Sequence, residues 1–173
     1  MADRRVQRGV MLEMVTEEVT LPNGRTTALD LIRHPGASAV VPFLDDERVL
    51  LIRQYRYAAG GTIYEVPAGK LDAGEAPETC ARRELEEETG YRAARFERLA
   101  TIWTTPGFTD ERIHLFAARE LTQGTQRLDH DEMIELVPMT LAEALDRVWS
   151  GEISDAKTAL ALVHAAQRTG RFE

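Results

Sequence analysis

The chain has one cysteine, Cys80, among its 173 residues, so no disulfide can form within it. A lone thiol fits a reducing compartment, and cytoplasmic residence is the expectation. No apolar run approaches the ~20 residues of a membrane span, so no membrane association is expected. The opening Met1-Ala2-Asp3-Arg4-Arg5 lacks the apolar segment of a signal peptide. Basic residues are outnumbered, 21 Lys+Arg against 29 Asp+Glu, for a net charge of −8. A nonspecific nucleic-acid binder needs a basic face, so that class is set aside. An anionic substrate stays allowed, because a bound cation inverts the local sign. There is no internal repeat and no low-complexity tract. His34, His114, His130 and His164 share no metal-ligand spacing, and no Ser-His-Asp constellation is visible.

What is present is a globular composition, 43% hydrophobic and 29% charged. The first third reads as strands. Val10–Leu21 and Thr26–Arg33 flank Pro22-Asn23-Gly24, a hairpin signal. Ser38–Leu44 and Arg48–Tyr55 are separated by the polar turn Asp45-Asp46-Glu47, and Thr62–Val66 ends at Pro67. The period then becomes helical from Pro77 to Thr89, with proline at the first turn and Gly90 just past the end. Strands resume at Phe96–Trp103, Ile113–Ala118 and Met133–Val137. Thr140 and Glu143 form a capping box for a second helix, with Leu141, Leu145, Val148 and Trp149 on its buried side. A last helix over about Asp155–Arg168 is anchored by Leu160 and Val163. Trp103 and Trp149 are expected in the core. The order of elements predicts an α/β fold with a mixed sheet and helices on its faces.

Within the first helix, Glu84, Glu87 and Glu88 fall on one face, being three and four residues apart. Ala81 and Leu85 project toward a core, and Glu86 points away. Like charges at this spacing repel, and acids near a helix C-terminus oppose its dipole. Local rules broken together mark either a functional site or a solvated acidic face. Carboxylate oxygens suit hard cations such as Mg²⁺ or Mn²⁺. Gly69 and Gly74 in the preceding loop permit close backbone approach to a ligand. From geometry alone both readings stand.

Gly69, Glu75, Arg83, Glu84, Leu85, Glu87, Glu88, Gly90 and Tyr91, spread over 23 residues, match the Nudix box without a gap. Tyr91 is the loosest match, an aromatic where an aliphatic is usual. Pro106, 16 residues past Gly90, and the stretch Thr105–Glu111 resemble the ADP-ribose pyrophosphatase branch of that family. So do Arg53-Gln54-Tyr55-Arg56 and Glu65-Val66-Pro67-Ala68-Gly69. The resemblance implies an α/β/α sandwich with an N-terminal β extension over residues 1–35 and a hydrolase domain over 36–173. It implies a homodimer through a swapped N-terminal sheet.

The resemblance also implies metal-dependent hydrolysis of the pyrophosphate bond of ADP-ribose or a related nucleoside diphosphate sugar. Mg²⁺ is the expected cofactor, with Mn²⁺ possible. GDP-mannose is the alternative substrate, and a non-catalytic nucleotide sensor the alternative class. Glu84 and Glu88 carry over as metal ligands, with Glu87 adjacent and the Ala68 carbonyl as a backbone ligand. The catalytic set is Glu132 as general base, with Asp131 and Glu135 as rivals, together with Glu87 and Arg83. Arg83 and Glu75 carry over in structural roles, with Arg83 pairing with box carboxylates and holding their orientation. Arg56, Glu111, Phe108 and Arg33 carry over as substrate contacts. Cys80 is expected to be packed and without catalytic role.

Overall fold

The computed structural model describes residues 5–9, 12–128, 130 and 132–170. The expectation on Met1–Arg4 and the base candidate Asp131 lie outside the described residues. Three N-terminal strands, β1 (Arg5–Arg8), β2 (Glu13–Thr20) and β3 (Thr26–Arg33), form an antiparallel sheet in the order β1-β2-β3. The β2–β3 turn closes where Asn23-Gly24 predicts it. Gly24 has φ +80° and its N–H donates to the Leu21 carbonyl at 2.8 Å. A left-handed φ there suits glycine because other residues pay a steric penalty.

The next strands are β4 (Ala37–Pro42), β5 (Arg48–Arg56), β6 (Gly61–Glu65) and the short β7 (Ala68–Lys70). Helix α1 spans Pro77–Thr89, ending in the left-handed Gly90. Then come β8 (Tyr91–Trp103), β9 (Arg112–Gln123) and β10 (Ile134–Thr140), followed by α2 (Leu141–Trp149) and α3 (Ala156–Arg168). The expected mixed sheet is β7-β4-β9-β8, in which β4 and β9 run parallel and the other pairs antiparallel, and beside it stands the antiparallel sheet β10-β5-β6.

Strand alternation explains the layers. Val40, Phe116 and Ala118 face α1 and pack on Ala81 and Leu85. Their neighbours Val41, Leu115 and Ala117 point the other way, to Leu51, Leu141, Leu162 and Ala165. A period of two sends successive side chains to opposite faces, so one sheet supports two cores. Each fully buried leucine contributes roughly 1.5–3 kcal/mol to holding these layers together.

Three expectations about the core are corrected. Trp149 is 64% exposed, and Trp103 is 49% exposed with the Arg112 guanidinium 4.1 Å above its ring. Trp149 is the last residue of a nine-residue helix whose buried residues are Leu141 and Ala144, near its start. Leu160 is likewise exposed. Helix α3 buries Leu162 together with Ala161, Ala165 and Ala166 instead, three small residues that let it lie close to the sheet. The predicted cap of α2 is present: Thr140 Oγ1 accepts the Glu143 N–H at 3.1 Å.

Candidate active site

The site is built where β6 passes through Val66-Pro67 into β7, and a loop then leads into α1. Arg83 ties this loop to the helix. Its Nε and Nη2 donate to the two Glu75 carboxylate oxygens at 3.1 and 3.0 Å, and Nη2 also donates to the Lys70 carbonyl at 3.0 Å. The fork geometry of guanidinium suits such a bidentate pair. It holds the Glu75 carboxyl below the usual range and raises the Arg83 pKa. Arg83 Nη1 reaches Glu84 Oε1 at 2.6 Å and Glu87 Oε2 at 3.2 Å. So the expected pairing of Arg83 with box carboxylates is present, Glu75 included. Glu86 points away as expected, toward Arg92 and Arg127, at 2.6 and 3.0 Å. Cys80 is fully buried, and burial pushes its thiol up to about 11, which leaves it a poor nucleophile.

Glu84 and Glu88 lie on the inner side of α1, against β7. Glu88 is 2% exposed and its Oε2 accepts the Ala68 N–H at 3.0 Å. Burial pushes its carboxyl well above the ordinary range, and the Glu84 charge adds to this. Burial raises Glu84 as well, against the opposing Arg83. The charge of Glu132 acts on both, so that residue shares their surroundings.

Among the described residues, no three carboxylate, imidazole or thiol groups already form a metal cage. The donor set nevertheless fits a hard divalent cation in kind. Two buried carboxylates repel one another with limited positive compensation, which is the situation a cation relieves. The Ala68-Gly69 backbone lies directly over them, since a Cβ at position 69 would fall 1.8 Å from Glu84 Oε1.

Of the expected substrate contacts, Arg56 reaches this pair electrostatically, and the others lie on β3 and in the loop between β8 and β9. Arg56, at the end of β5, donates Nε to Glu65 Oε2 at 2.8 Å, and its charge reaches Glu88. Arg33 bonds Glu17 at 2.8 Å and Asp110 at 2.9 Å, joining the N-terminal sheet to the loop after β8. Glu111 accepts the Thr104 hydroxyl at 2.8 Å. Phe108 presents a half-exposed ring while its carbonyl accepts the Ile32 N–H at 2.7 Å. Glu135 pairs with Arg53 at 3.0 Å, on the β5 face opposite Arg56.

Several supporting residues carried no local signal. Thr158, on the first turn of α3, accepts the Val66 N–H at 2.9 Å and so fixes the turn that carries Ala68. The buried Glu65 pairs beside it with the partly buried Lys157. After β9, residues 124–127 lie across the end of α1. Gln126 Nε2 donates to the Glu88 carbonyl at 2.6 Å, and the Arg127 N–H donates to the Glu87 carbonyl at 2.8 Å. Carbonyls at a helix C-terminus lack partners within the helix. Here they are satisfied by the segment leading toward Glu132.

The NUDIX domain family model matches residues 32–159. ADP-ribose pyrophosphatase of Bacillus subtilis is 42% identical over 163 residues, covering 93% of this chain and 88% of that protein. The methanol dehydrogenase activator of Bacillus methanolicus is 42% identical over 156 residues, covering 89% and 84%. GDP-mannose pyrophosphatase of Cronobacter sakazakii is 36% identical over 176 residues, covering 91% and 88%. A crystal structure of an ADP compounds hydrolase superposes with a TM-score of 0.84 at 23% identity, over 98% of this chain and 96% of that one. That likeness shows the fold. The box residues, the sandwich around α1 and these matches agree, and the chain belongs to the Nudix family.

Proposed function

We propose that this enzyme hydrolyses the pyrophosphate bond of ADP-ribose or a related nucleoside diphosphate sugar, releasing a nucleoside monophosphate and a sugar phosphate. The observation that carries the reading is the buried pair Glu84 and Glu88 beneath the Ala68-Gly69 backbone. Both carboxylates and the Ala68 carbonyl would hold Mg²⁺, with Mn²⁺ able to replace it, and Glu87 stands next to them. When bound, such a cation neutralises phosphate oxygens and lowers the pKa of an attacking water.

The chain's own residues do the rest. Glu132 takes the proton from the water as its oxygen attacks phosphorus and the bridging P–O bond breaks. Arg83 keeps Glu84 and Glu87 oriented. Arg56 and Arg33 offer charge to the diphosphate, Phe108 a surface for the base, and Glu111 an acceptor for a ribose hydroxyl.

Residues 1–35 act as an extension that joins two copies, and residues 36–173 as the hydrolase domain. Support comes from Val6, Met14 and Leu29, apolar side chains left exposed on the N-terminal sheet, and from Leu12 just before β2. No described helix is long and apolar enough to cross a membrane. The single cysteine supports a cytoplasmic setting.

Incubating the protein with ADP-ribose and Mg²⁺ and following AMP by chromatography tests the reading. Release of AMP and ribose phosphate supports it. Binding without cleavage points instead to a sensor. GDP-mannose is the second reading, supported by the relatives named for that activity, and a parallel assay ranks the two substrates.

A further inference from the structure

Glu65 is a buried carboxylate that the reaction itself does not use. It ends β6, its side chain is 3% exposed, and it stands between two cations from distant elements. Its Oε2 accepts Arg56 Nε at 2.8 Å, and its Oε1 accepts Lys157 Nζ. Lys157 also donates to Asp155 Oδ2 at 3.0 Å, and Asp155 caps α3 by accepting the Thr158 N–H at 2.9 Å.

The geometry points to Glu65 as a positioning residue that aims Arg56 at the substrate diphosphate, with Lys157 holding Glu65 in place from α3. The inference rests on the proposed reading of Arg56 as a substrate contact. Because Glu65 takes the Nε donor, the two Nη groups of Arg56 are left at the outer end of the guanidinium. They make no hydrogen bond among the described residues. A guanidinium held at Nε cannot swing its fork freely, so less order is lost when the fork meets a diphosphate.

Charge arithmetic explains the second cation. An Arg56–Glu65 pair by itself is neutral and draws no anion. Lys157 answers the Glu65 charge from the other side and leaves Arg56 its own. The Asp155 carboxylate that Lys157 also touches sits at the α3 N-terminus, where the helix dipole offsets a negative charge. Burial makes the arrangement strict, since removing one partner leaves an uncompensated charge.

A double-mutant cycle on the full chain, with ADP-ribose and Mg²⁺, tests this. Arg56→Ala should raise KM about 10- to 100-fold, the worth of a charge-assisted hydrogen bond. Glu65→Gln should raise KM about 10-fold with kcat changed less than about 3-fold, and should add less than about 2-fold in the Arg56→Ala background. Lys157→Met, which leaves the Arg56–Glu65 contact intact, should raise KM about 3-fold and likewise do nothing once Arg56 is gone. It serves if Glu65→Gln does not fold. Equal factors in both backgrounds overturn the positioning role while leaving the Arg56 reading standing. An unchanged KM in Arg56→Ala overturns both.

Discussion

Gly69 and Glu84 are in contact so close that a side chain at position 69 would displace the Glu84 carboxylate: a Cβ there would lie 1.8 Å from Glu84 Oε1 and 2.1 Å from its Cδ. The clash is with the end of a flexible side chain, so the fold has a way to yield. The Glu84 carboxylate does not, if it is to stay where it is.

Gly69→Ala is therefore expected to separate activity from stability. The chain should fold, with the Glu84 carboxylate displaced by an ångström or more. Misplacement of that size costs on the order of 100-fold in rate. Measured kcat/KM should fall by about that factor while the thermal midpoint moves by only a few degrees. A variant with ordinary activity would mean that Glu84 does its work from another position.

Glu88→Gln should abolish metal-dependent turnover yet leave the metal-free protein as stable as before or more so. Burial and the Glu84 charge raise the Glu88 pKa well above the ordinary carboxylate value. The folded state then binds more protons than the unfolded one between the two values, so stability is full at low pH and falls as pH rises through that window. An amide has no charge to bury. Thermal melts of the metal-free wild type should thus drop from acidic to neutral pH more than those of Glu88→Gln. Added Mg²⁺ should stabilise the wild type alone.

How much of this was legible in the sequence depends on distance along the chain. Helix α1 was legible to the residue, because Pro77, Gly90 and the three-and-four spacing of Glu84, Glu87 and Glu88 are local signals. The hairpin at Asn23-Gly24 and the Thr140 cap were legible for the same reason. The Glu65–Lys157 pair joins residues 92 apart and exists only once α3 lies on β6. Likewise Gln126 gains its role from packing against α1. Trp103 and Trp149 misled because amphipathic spacing gives a face without saying whether another element covers it.

Gly90 should be far less replaceable than Gly74, though both are left-handed, at φ +74° and +79°. A Cβ at position 74 meets nothing within 4 Å, whereas at 90 it would lie 2.7 Å from the Gln126 backbone nitrogen. Gly74→Ala should cost about 1–3 kcal/mol from the left-handed backbone alone. Gly90→Ala carries that cost and must also push residues 124–127 off the end of α1. Denaturant melts should show the larger loss at 90, together with a fall in kcat, because the displaced segment leads to Glu132.

Substitution of the two glutamates that bracket Ile134 should identify the general base. Glu132 acts electrostatically on both Glu84 and Glu88. Glu135 stands opposite Arg53 in the β10–β5 ladder and bonds it at 3.0 Å, and Arg53 lies three residues, an odd number, before Arg56. In a strand that phase difference places the two on opposite faces. Glu132→Gln should lower kcat about 10²- to 10⁴-fold, the range for loss of a general base. It should also flatten the acidic limb of the pH–rate profile and leave the binding of Mn²⁺ in place. Glu135→Gln removes only an exposed ion pair, worth ~0–1 kcal/mol, and should leave both kcat and its pH profile unchanged. A large kcat loss at 135 with none at 132 would move the base to the other glutamate and overturn the assignment of Glu132.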